Sequence, residues 1–196
     1  MSNNLLQKVQ EKMGCQPLQK IDVNTLQVVE DDSTPNENKL SQAVIPTVLI
    51  AFYKYSRSDD AVNTMLQNTN ESNWCDLIFE DKTNEIIEKI IVYCDCQKNE
   101  VITNINEVAK ATITIIKEEV TSSGGILDVK NLLSNSLNEV LLYLPTSMHI
   151  GVLLNQNTLD DVTHKMEGPI SSVITSIGSM FSASDSVENK NPLTNK

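Results

Sequence analysis

The chain has 196 residues, 40% of them apolar, 21% charged and 4% aromatic, with six glycines, six prolines and a formal net charge of −11. That length suffices for one large domain or two small ones around a sizeable core, and so few aromatic residues make the core aliphatic. With Arg57 the single arginine, no basic face exists to neutralise phosphates or anionic lipid, so neither nucleic acid nor a membrane surface is an expected partner.

The opening "MSNNLLQKVQEKMG" lacks the basic region, apolar core and small-residue cleavage site of a secretory leader. No run approaches the roughly 18 apolar residues that span a bilayer. Cys15, Cys75, Cys94 and Cys96 have no framework spacing in a chain too large to need staples, so they read as reduced thiols in a cytoplasm. Low glycine and proline content with long aliphatic stretches predicts an all-α protein, a multi-helix bundle of amphipathic helices with short loops.

Leu5, Leu6, Val9 and Met13 recur at helical spacing, and Gly14 is placed to stop that helix. Residues 15 to 32 are ambiguous; "TLQVVE" could be a short strand, but no partner strand is evident. In "TPNE", Thr34 is a candidate N-cap, Pro35 fills the first helical position and Glu37 completes a capping box. The helix so begun carries Leu40, Ala43 and Val44 on one face. Pro46 removes a backbone donor and should kink or restart it. Beyond it, "TVLIAFYKYSR" is apolar nearly all round, as in a central buried helix.

Ser58 with two aspartates after it is a second N-cap, for a helix ending near Gln67. After the loop "NTNESN", a short helix over 72–79 brings in Trp74, Leu77, Ile78 and Phe79. Thr83 is the expected cap of a helix to residue 95, with Ile86, Ile87, Ile90, Ile91 and Cys94 as its stripe. A long helix is predicted over 99–120, with Val101, Ile105, Val108, Thr112 and Ile116 along one edge, widened by Ile102, Ala109 and Ile113. Its β-branched residues each lower helix propensity by a few tenths of a kcal/mol, about what burial must offset.

"SSGG" at 122–125 has the look of a hinge. A helix from Asp128 to about Leu144 then stops at Pro145, and short helices follow over 147–154, 157–166 and 169–182. Residues 1–121 thus form an N-terminal helical region, and residues 126–182 a C-terminal one expected to pack on it as one domain. Residues 183–196 lack apolar periodicity and are expected to be disordered.

Among candidate sites, Asp160 and His164 are four apart and share a helix face. Two ligands do not make a zinc site, and both residues fit better as a helix first turn and last turn. Cys94 and Cys96 form C-x-C, not C-x-x-C. Two apart on a helix they diverge, so metal binding would need a non-helical turn and further ligands, and Cys94 reads as a small buried hydrophobe. His149 and His164 are the two histidines, and no nucleophile elbow or phosphate-binding loop accompanies them. The last helix puts Ile170, Val173, Ile174, Ile177 and Phe181 on one face, as a partner-binding surface or as packing on its own bundle.

The segment "KLSQAVIPTVLIAFYKYSRSDDAVNTML" resembles the YidB-like bacterial family of unknown function, in which a proline-bearing helix is followed by a polar turn and a second short helix. "EDKTNEIIEKI" and "VITNINEVAKATITIIKEEV" are similar to its next helical pair, so the likeness spans about residues 38–120. Asn, Lys and Ile stand here where that family has Gly and Ala. The resemblance implies a bacterial, helical, cytoplasmic, non-enzymatic protein and supplies no catalytic residues. The expectation is a protein without catalytic site, metal or cofactor that acts through a protein partner or self-association. A small-molecule or metal-binding helical protein is the alternative.

Overall fold

Eleven consecutive residues, Gln42–Phe52, are buried without a break, which no amphipathic surface helix allows. They lie in α2 (Asn36–Tyr55), a helix about 30 Å long at 1.5 Å per residue. Every face of it therefore has to be covered by other helices. The computed structural model describes residues 4–22, 27–28, 35–67, 73–120 and 124–154. All of them belong to the first of two compact units, Met1–Gln156 and Asn157–Lys196.

The cover comes from α1 (Leu5–Met13), α4 (Trp74–Phe79), α5 (Thr83–Cys94), α6 (Lys98–Glu119) and α7 (Ile126–Leu141), all of which pack on α2. The remaining helices are α3 (Asp59–Gln67), which lies against α6 and α7, and the single turn α8 (Ile150–Leu153). The fold is all-α. No helix among the described residues is long and apolar enough to cross a membrane. The core is aliphatic as expected, with one aromatic contact: Phe52 and Trp74, both fully buried, stand with ring centroids 5.9 Å apart and tilted by 53°.

Helix ends follow local chemistry. Asn4 accepts from the Gln7 N–H to cap α1, and Gly14 ends it at φ 65°, a left-handed conformation that costs glycine little. Asn73 caps α4, a helix of six residues, and Asn106 on α6 adds an acceptor for the Cys75 N–H at 3.1 Å. The carboxylate of Asp128 accepts from the Gly125 N–H at 2.9 Å, so α7 starts at Ile126, two residues before the expected position, with Asp128 in its first turn. Thr83 is not an N-cap. It lies inside α5, after the 3-10 turn Glu80–Lys82, and its hydroxyl donates back to the Glu80 carbonyl.

Two further expectations are corrected. Pro46 does not restart α2, which runs unbroken past it. Proline at this position withholds the donor that would reach the residue 42 carbonyl and crowds that turn; the Thr47 hydroxyl, itself fully buried, donates to the next carbonyl, that of Ala43, at 2.7 Å. A strand pair also exists before α2, two residues long: Ile21–Asp22 pairs antiparallel with Gln27–Val28. Its partner was hidden because Ile21 stands singly among polar residues, and the Ile21 N–H is anchored instead on the Leu142 carbonyl at 2.8 Å. Thr34, Ser122 and Ser123 of the expected hinge and the helices expected after residue 154 lie outside the described residues.

One buried polar side chain ties this together. Gln42 is 4% exposed. Its Oε1 accepts from the Gln19 N–H at 2.7 Å, and its Nε2 donates to the carbonyls of Gln19 (3.0 Å) and Tyr143 (2.6 Å). It therefore clamps the segment after α1 and the end of α7 onto α2. Replacing it with Leu strands those backbone groups, so Gln42→Leu should lower the unfolding free energy by about 3 kcal/mol in urea titrations. Thr114→Ala, which loses only an exposed hydroxyl bond to the Lys110 carbonyl, should change it by less than about 0.5 kcal/mol.

Candidate functional site: an acidic cleft on the first half of α6

The apolar stripe of α6 turns Val101, Ile105, Val108, Thr112 and Ile116 into the core. Beside it runs a polar stripe at the same helical spacing: Glu100, Thr103, Asn104 and Glu107. That stripe forms one wall of an open cleft of about 640 Å³. The opposite wall comes from the first turns of α2, with Glu37, Asn38 and Ser41, and the end of α1 closes it at Gly14 and Cys15.

No cation lines this cleft; Glu37, Glu100 and Glu107 do, and none of the three is in an ion pair among the described residues. Some carboxylates elsewhere are paired. At the far end of α6, Lys8 and Lys12 of α1 pair with Glu119 and Glu118, and Lys130 of α7 pairs with Asp59 at 2.6 Å. The negative field in the cleft is thus left uncompensated by neighbouring lysines.

Asn104 adds a second feature. Its Oδ1 is buried and has no hydrogen-bond partner among the described residues. Two residues on, Asn106 has both ends engaged, donating to the Ile102 carbonyl and accepting from the Cys75 N–H. An unsatisfied buried acceptor costs about 1–3 kcal/mol, so Asn104 holds the cleft wall at a cost to the fold.

The other sequence-derived candidates fall elsewhere. Asp160, His164 and the row Ile170, Val173, Ile174, Ile177 and Phe181 lie outside the described residues. His149 is exposed and left-handed at φ 50°, just after the 3-10 turn Thr146–Met148. Cys94 and Cys96 do not diverge along a helix. α5 ends at Cys94, Asp95 turns the chain at φ 53°, and the Cys96 thiol returns to donate to the Cys94 carbonyl at 3.3 Å. The non-helical turn needed for joint metal binding is therefore present; among the described residues, no group of three or more His, Cys, Asp and Glu is placed to hold an ion.

All four thiols are free. Burial pushes Cys75 up to about 12, with the Asp76 carboxylate adding to the effect. Burial likewise pushes Cys94 up to about 12, helped by the Cys96 thiol beside it. Neither supplies a thiolate nucleophile near neutral pH. No protein-family model, curated protein or solved structure matches this chain.

The cleft was findable from sequence. Glu100, Thr103, Asn104 and Glu107 recur at the same helical spacing as the core stripe, so this wall is legible as a polar stripe. That Glu37 faces it across the cleft depends on tertiary packing and has no local signal.

Two outcomes follow. Asn104→Leu, removing the stranded acceptor, should raise the unfolding free energy by about 1 kcal/mol in chemical denaturation. For Cys75 and Cys94 the folded pKa lies above the ordinary thiol value of 9.0. Their stabilising contribution is therefore complete below about pH 9 and is lost as pH rises from there towards about 12. The stability of the wild type should decline more steeply across that window than that of Cys75→Ala/Cys94→Ala, measured by urea midpoints at each pH.

Proposed function

We propose that this is a non-enzymatic, cytoplasmic helical protein that works by associating with another protein, and that the acidic cleft of α6 is its engagement site. The observation that carries this reading is the uncompensated set of carboxylates around a cleft whose wall includes a buried, unpartnered acceptor. Such a surface attracts cationic groups from outside. The likeness of residues 38–120 to the YidB-like family supports the same non-catalytic reading.

A small-molecule site is the second reading, favoured by the volume of the cleft, which falls in the range of about 300–1,000 Å³ usual for ligands. Its chemistry weighs against that alternative. Ligand pockets are mostly apolar with a few placed polar groups, whereas carboxylates, amides and hydroxyls dominate this lining. Self-association through the same face is disfavoured because two copies would bring like charges together.

The test is capture from native extract with the tagged full chain, combined with sedimentation of the purified protein. A stoichiometric protein complex with a monomeric free state is the expected result. A chain that retains no protein from extract and sediments as a monomer at every concentration would overturn the association reading.

A further inference from the structure

The turn that joins α5 to α6 brings two thiols together. α5 ends at Cys94, and Asp95 takes φ 53° and ψ 43°. This left-handed conformation mirrors a helical turn, so the Cα atoms of residues 94 and 96 stand about 5.4 Å apart. A disulfide needs roughly 4.4–6.8 Å between them, and side chains that approach each other. The Cys96 side chain does so: its thiol folds back to donate to the Cys94 carbonyl at 3.3 Å and lies beside the Cys94 thiol. Cys94 is fully buried and Cys96 half-buried, so a small oxidant meets Cys96 first.

The surroundings favour a neutral product over an anionic one. Burial pushes the Cys96 thiol up against an opposing hydrogen bond with Cys94, and the carboxylates of Glu100 and Asp95 add to the rise. A metal held by both thiolates would keep negative charge on sulfur there, and among the described residues no third ligand is placed to share the ion. A disulfide carries no charge and needs no further ligand.

We propose that Cys94 and Cys96 form a reversible dithiol–disulfide pair, a redox-responsive corner between α5 and α6. With glutathione disulfide as oxidant, the Cys96 thiolate attacks one of its sulfurs and releases one glutathione. Cys94, deprotonated in turn, attacks the Cys96 sulfur of the mixed disulfide and releases the second. Two electrons pass from the cysteine pair to the glutathione disulfide, and the two thiol protons end on the released glutathiones. The folded turn supplies the proximity that an unfolded chain would have to find by chance.

The test equilibrates the full chain in glutathione buffers of graded redox ratio at about pH 8.5, near the ordinary thiol pKa. Equilibrium is approached from both reduced and diamide-oxidised protein. After acid quenching and alkylation, trypsin releases residues 90–98, bounded by Lys89 and Lys98 and holding both cysteines. In the folded protein this peptide should appear unalkylated and two hydrogens lighter than the dithiol, and dithiothreitol should reverse it. The ratio of disulfide to dithiol should be at least ten-fold higher than in the same buffer with urea added to unfold the chain, because only the fold holds the thiols together. Cys15 and Cys75 should be alkylated throughout, and Cys94→Ala should accumulate glutathione on Cys96, with no second thiol to displace it.

A ratio no higher in the folded chain than in urea would overturn the proposal. So would a glutathione adduct on wild-type Cys96 that Cys94 fails to displace, or a bond from either residue to Cys15, Cys75 or a second copy.

Discussion

A helix covered on every side has no water for its polar groups, and each of those groups must be satisfied by protein or carry a penalty of a few kcal/mol, of order 1–3. Over Gln42–Phe52, α2 is such a helix, and much of the architecture can be read as its satisfaction. Gln42 spends its side-chain amide on the backbone of Gln19 and Tyr143, groups in an irregular segment and a helix end that otherwise lack partners. Thr47, fully buried, satisfies its own hydroxyl on the Ala43 carbonyl. The same need explains why the segment between α1 and α2 lies across the end of α7 instead of looping freely. Its Ile21 N–H is bonded to the Leu142 carbonyl.

α6 solves a different problem, because it serves two environments at once. Its apolar stripe covers α2 and its polar stripe faces the cleft. Three of its polar residues show how sharply the boundary is drawn. Asn106, on the flank of the core stripe away from the cleft, is engaged with α4 and with the Ile102 carbonyl; Asn104, on the opposite flank beside the cleft, has a buried oxygen with no partner among the described residues. Thr112 lies on the core side and returns its hydroxyl to the Val108 carbonyl. A side chain that gains nothing for the fold and stands in the wall of a charged cleft is where local consistency breaks, and such breaks cluster at functional surfaces.

Aliphatic periodicity made the helices legible because burial drives them and burial leaves a spacing in the sequence. Leu5, Leu6 and Val9, or Ile86, Ile87 and Ile90, are buried as that spacing requires. Helix ends were less legible. Thr83 has the residue type of a cap but a 3-10 turn ahead of it takes the helix through it, and Asp128 acts from inside the first turn instead of beginning it. Gln42 was invisible for a deeper reason: its partners are 23 and 101 positions away, so no window of sequence contains the interaction that justifies it. The C-x-C turn was misjudged because a helix was assumed to continue where Asp95 takes a left-handed conformation.

The distribution of lysines links the fold to the cleft. Lys8 and Lys12 on α1 are one helical turn apart and both reach the last turn of α6, while Lys130 bridges α7 to Asp59 and the Arg57 carbonyl at the start of α3. These pairs are partly exposed, so each is worth at most about 1 kcal/mol; their main consequence is placement. These pairs hold positive charge at the far end of α6 and at the start of α3, while the cleft lining carries carboxylates without a lysine. Moving one of those lysines into the cleft would cost the fold little, since exposed pairs contribute so little. The fold therefore does not dictate where these lysines stand.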